Sequence, residues 1–138
     1  MSIMLENFAD LVLILLAIDH LVTGSIFLFF PSLKTKLAQK IYGVRFPEGE
    51  NINLIVKPWG AFGVFGGLVG LIPVFSDQDS TLILYALLVL LLTRLYYRVG
   101  FMIEASYVVH LSRKRNFFHS LTIVVCVLAV LIKLNLAP

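Results

Sequence analysis

Four long apolar runs divide this chain, and its polar residues gather in the gaps between them. The runs cover Phe8 to Phe30, Pro58 to Phe75, Thr81 to His110 and Phe117 to Leu136. A helix needs about 20 apolar residues to cross a bilayer, so each run reads as a transmembrane helix. The second is short and the third long. At a rise of about 1.5 Å per residue the third reaches roughly 45 Å, which requires tilt, or emergence from the hydrocarbon from Glu104 onward. Pro31 closes the first run. In the following SLKTKLAQKIY, Leu33, Leu37 and Ile41 are separated by lysines, the spacing of a short amphipathic helix lying on the membrane surface. The expected fold is all-α: a four-transmembrane-helix bundle with that interfacial helix after the first span, residues 1–138 forming one membrane domain.

Composition agrees with the pattern. Of 138 residues 59% are hydrophobic and 14% charged, with a mean hydropathy of +0.96; in soluble domains about a quarter of residues are charged. Glu6 and Asp10 precede the first run, which lacks the basic flank and small-residue cleavage site of a leader and is read as a span that stays. The lone Cys126 sits in LTIVVCVLAVLIKL, without a second cysteine for a disulfide or a metal pair, and is expected to be a buried, inert thiol.

Charge gives the direction. Lys34, Lys36, Lys40, Arg45 and Lys57 border the first loop, and Arg113, Lys114 and Arg115 lie in SRKRN, so eight of the eleven Lys and Arg residues share one side. The SDQDS loop carries Asp77 and Asp79 and no base. By the positive-inside rule the basic loops, 31–57 and 111–116, are cytoplasmic, and both termini face the outer side. The net charge of +3 is then a membrane address, and nucleic acid is not an expected partner.

Glycine marks a packing face on the second span. In PWGAFGVFGGLVGLIP, Gly60, Gly63, Gly67 and Gly70 recur at helical spacing. In lipid, such a strip lets a neighbouring backbone approach closely, either within the bundle or at a contact with another subunit or a second copy. These glycines lie inside a span with no base close behind, so they do not read as a phosphate loop.

Besides Asp10 and Lys133 near the span ends, four charges interrupt the spans. Asp19, beside His20 in the first, and Arg94, Arg98 and Glu104 in LLLTRLYYRVGFMIEA in the third could balance to zero. Such groups are expensive in a bilayer, face the bundle interior and find partners. Asp19 lies about 16 Å along its span and Arg94 about 20 Å along its own, at 1.5 Å per residue, so the spacing predicts an Asp19–Arg94 ion pair, with Thr23 or Tyr97 satisfying what remains. Glu104, further inward, is expected to meet Arg98 or a base of the inner loops. The set can be a structural staple or a functional site, in which His20, Arg94, Tyr97 and Arg98 would hold a quinone or an anionic lipid headgroup, or pass a proton. No catalytic residue is assigned: Ser25, His20 and Asp19 cannot form a triad, because adjacent helical residues point in different directions. No metal site is assigned either, since His110 and His119 belong near the inner interface, away from His20.

The order of features, FLFFPSL closing the first helix, a YG in the link, WGAFGVFGGLVGL opening the second and Arg94 within the third, resembles the DoxX-like small four-helix membrane proteins over roughly residues 10 to 130. The resemblance implies a four-helix bundle with an accessory role, because DoxX-like proteins include a subunit of a quinone-oxidising terminal oxidase and partners in membrane redox complexes. It brings no catalytic residue, and Asp19, His20 and Glu104 are not part of its pattern. The expected function is a non-enzymatic accessory or scaffold subunit whose partners are membrane lipids and other membrane-protein subunits, or a homo-oligomer. The alternative is a small binder or carrier of a quinone, a lipid or a proton. No cofactor is assigned.

Overall fold

The computed structural model describes residues 2–30, 33, 36–37, 39–40, 44–45, 52–76, 79–100 and 110–136. Among the described residues the architecture is four long helices: α1 (Ser2–Phe29), α2 (Ile52–Phe75), α3 (Thr81–Gly100) and α4 (Arg113–Leu136). All four are long and apolar enough to cross a membrane, which makes this a multi-pass membrane protein.

Four boundaries differ from the hydropathy reading. α1 begins at Ser2 and α4 at Arg113, because polar residues continue a helix into the headgroup region where water can serve its ends. α2 begins at Ile52 and carries Pro58 and Pro73 inside it; Pro58 had been read as its start. Prolines are tolerated in transmembrane helices, where neighbouring groups re-satisfy the backbone groups they release. α3 is described as far as Gly100, and His110, the expected end of this span, is not helical. His110 belongs instead to a two-residue antiparallel contact in which Val44 (β1, Val44–Arg45) faces Leu111 (β2, His110–Leu111) and Arg45 faces His110. Glu104 lies outside the described residues, as does most of the Ser32–Tyr42 segment read as an interfacial helix.

α1 organises the bundle. It packs along α2 on one side and α4 on another; α3 packs on α4, and α2 and α3 touch only lightly. Leu84, Leu87 and Leu91 of α3 recur on one helical face and close over Leu13 of α1 and Ile123 and Val130 of α4. Cys126 is buried in the same cluster.

The α1–α2 seam is set by glycine. A Cβ added at Gly24 would lie 2.7 Å from both the Gly60 carbonyl oxygen and the Val64 nitrogen, and one at Gly60 would lie 2.8 Å from the Gly24 carbonyl oxygen. Gly63 faces Gly24 and the His20 carbonyl, and Gly67 faces Leu21 and the Ala17 carbonyl. The two backbones touch at distances no side chain would permit. The segment between α1 and α2 also meets the start of α4. Arg115 Nη1 donates to the Gln39 carbonyl, and together with the β1–β2 contact this brings both basic loops to one end of the bundle.

Candidate functional site

Arg94 does not pair with Asp19. Its Nη1 donates to Nε2 of His20, crossing from α3 to α1 over the diagonal of the bundle. The other ring nitrogen, Nδ1, is 2.8 Å from the Leu16 carbonyl one turn back along α1. A carbonyl can only accept and a guanidinium can only donate, so the ring carries its hydrogen on Nδ1 and offers Nε2 as acceptor. Both nitrogens are thereby used. The ring is well covered, with a side-chain exposure of 14%, and the Cδ2 edge lies 3.9 Å from the Cβ position of Gly66.

The Asp19 carboxylate stands on the far side of this link. Its Oδ2 is 3.9 Å from His20 Nδ1, and its side chain is 53% exposed. The expected Asp19–Arg94 pair therefore fails on direction, although the depths match: successive residues on a helix point about 100° apart, and only one of Asp19 and His20 can face inward. His20 does so because it follows Ala17 by three residues and precedes Gly24 by four, and both of these lie buried. Thr23 donates its hydroxyl to the Asp19 carbonyl at 2.6 Å, a bond within α1 that leaves the carboxylate untouched.

Arg98, one turn inward from Arg94, has a separate partner. Its Nη1 donates to Asn116 Oδ1 at 3.0 Å, and Asn116 Nδ2 donates back to the Arg98 carbonyl at 3.1 Å. Asn116 is only 4% exposed, and this reciprocal pair fastens the Gly100 end of α3 to the Arg113 end of α4. At the opposite end of the bundle Lys133 of α4 lies 2.8 Å from Asp10 Oδ1 and 3.9 Å from Glu6 Oε1 on α1. Asp10 Oδ1 is buried and takes no aligned hydrogen bond, so that contact is held by charge rather than by directed bonding.

The expected constellation is thus distributed. Arg94 and His20 come together, Asp19 flanks them, and Arg98 turns to Asn116. Tyr97 is exposed and lies edge-on to Tyr96, with ring centroids 5.8 Å apart. Glu104, and with it the expected contact to Arg98 or an inner-loop base, falls outside the described residues. Sequence reasoning missed Asn116, which looked like part of a loop, and the Asp10–Lys133 contact. Equal distance from the helix ends was the available signal for the first: Arg98 and Asn116 each lie within three residues of the Gly100 end of α3 and the Arg113 end of α4. Among the described residues, no three His, Cys, Asp or Glu side chains form a group that could hold a metal ion.

Comparison with protein-family models, with curated proteins and with solved structures finds no match to this chain.

Proposed function

We propose that this protein is a non-enzymatic accessory or scaffold subunit of a larger membrane assembly. The observation that supports this reading is the closure of the His20–Arg94 link. Both imidazole nitrogens are engaged, and the interior polar groups join one helix to another: His20 to Arg94, Asn116 to Arg98, Asp10 to Lys133. A bundle held by its own polar groups presents wide apolar faces to its surroundings, Phe62, Phe65 and Leu82 among them. The resemblance to DoxX-like proteins points the same way and suggests a redox complex as the assembly. The basic loops face the cytoplasm in this reading, with the termini outside and the Ser32–Tyr42 segment lying on the inner membrane surface as an amphipathic helix.

A second reading, a binder or carrier of a quinone, a lipid or a proton, is favoured by the half-exposed Asp19 carboxylate beside His20. Purification from native membranes in mild detergent, followed by mass spectrometry of the intact particle, separates the two. Stoichiometric partner proteins support the accessory role. A retained small molecule with no protein partner overturns it in favour of the second reading.

A further inference from the structure

The Asp19 carboxylate is the least explained group in the bundle. Some 15 Å of helix separates it from Phe29 and about 14 Å from Asp10, at 1.5 Å per residue, so it sits at the middle of the span. A charge at that depth costs a few kcal/mol even on lenient scales, and such residues turn to the bundle interior. Asp19 does not turn inward. No donor among the described residues hydrogen-bonds its carboxylate, and the nearest, His20 Nδ1 at 3.9 Å, is directed at Leu16.

The face it borders has the spacing of a helix seam. Leu11, Leu15, Ile18 and Val22 are all half exposed or more and recur at intervals of four, three and four, the period by which one helix packs along another. Asp19 lies within about 60° of Leu15 and Val22 around α1, at 100° per residue. Resting on the accessory reading above, we infer that α1 docks through this stripe against a transmembrane helix of another protein that carries a lysine or arginine at mid-span, which pairs with Asp19. Charge decides the class of partner. A second copy meeting this face symmetrically would set Asp19 against Asp19, two like charges in a low dielectric. A second copy meeting it through another face would have to supply a cation, and the cations within α3, Arg94 and Arg98, are directed at His20 and Asn116. A lysine or arginine on a different chain supplies both the charge and the donors, in the stronger, charge-assisted form of hydrogen bond.

The test uses the full chain in its native membrane with a benzophenone side chain at position 15 or 22, and at position 65 on α2 as the control face. The expected result is an adduct from positions 15 and 22 to a protein whose crosslinked peptide is a transmembrane segment containing lysine or arginine. Asp19→Asn should lower its yield at least tenfold, Asp19→Glu should keep it, and replacing the partner's cation with Asp should restore pairing to Asp19→Lys. Unchanged thermal melting of purified Asp19→Asn and Asp19→Glu shows that the loss is one of docking. An adduct joining two copies of this chain overturns the inference. Adducts that form from position 65 alone, or that ignore Asp19, overturn it while leaving the accessory reading intact. Lipid adducts alone from both faces overturn both.

Discussion

His20 and Arg94 are joined across the bundle by an imidazole acceptor and a guanidinium donor that lie 74 residues apart in sequence. The link ties α1 to α3, two helices whose backbones are diagonal rather than adjacent. Its removal should therefore be felt as loss of a tether. Hydrogen bonds to charged groups contribute about 1.5–3 kcal/mol, and truncating one partner leaves the other unsatisfied. His20→Ala and Arg94→Ala should each lower stability by about that amount in detergent unfolding, whereas Asp19→Asn in the isolated protein should change it by less than about 1 kcal/mol. A double-mutant cycle on His20 and Arg94 should return a coupling of at least about 0.5 kcal/mol. Additive effects would show that the two side chains act independently.

The glycines of the α1–α2 seam should not be equivalent. At Gly24 an added Cβ meets backbone atoms at 2.7 Å, and backbone cannot rotate away. At Gly66 and Gly70 the nearest atoms are 3.9 Å off, ordinary contact. Gly24→Ala should destabilise by about 1–3 kcal/mol through forced separation of the helices, while Gly66→Ala should be neutral or mildly stabilising because alanine favours the helix. Thermal melts in one detergent decide this, and equal effects at the two positions would contradict the seam as described.

Asn116 should behave as a core residue despite its place beside three basic neighbours. Asn116→Leu removes both hydrogen bonds to Arg98 and should lower stability by about 1–3 kcal/mol. Asn116→Asp keeps an acceptor for the guanidinium but loses the donor to the Arg98 carbonyl, and should fall between the two. Unfolding of the three proteins in parallel checks the order.

Acid should weaken the start of α3. The Thr81 hydroxyl and the Thr81 backbone N–H hydrogen-bond Asp79 and hold its carboxyl below the ordinary value of 3.8, with the backbone bond at 2.9 Å. A folded-state value below the unfolded one means the stabilisation is fully present above pH 3.8 and is lost as pH falls through the depressed value. Protection of the first-turn amides of α3, taken relative to their intrinsic exchange rates, should fall over that acid range, and Asp79→Ala should abolish the dependence. A pH response that survives the substitution would locate its cause elsewhere.

Hydropathy made the number of spans legible, because bilayer thickness fixes how many apolar residues a helix must string together. Depth was legible too: rise per residue placed Asp19 and Arg94 at one level. Direction around the helix was not used, and it decides between neighbours. Ala9, Leu13, Ala17 and Gly24 are all buried on α1, and His20 shares their side while Asp19 does not. Small residues at helical spacing on the first span were thus the signal that would have named Arg94's partner. Apolar composition extends the third span to His110, and composition cannot foresee that His110 faces Arg45 in the β1–β2 contact. Asn116 stayed hidden because polarity alone cannot tell a helix's first turn from the loop before it.

The close crossing of α1 and α2 is made entirely from residues that precede α3 in the chain. During synthesis from the N-terminus, the first two helices can meet at Gly24, Gly60 and Gly63 before Thr81 has been added. His20, set by Leu16 on one side and Gly66 on the other, would then already present Nε2 to the space that α3 comes to occupy. Arg94 thus need not cross the bilayer as an isolated cation, because the acceptor that receives it belongs to the half of the protein made first.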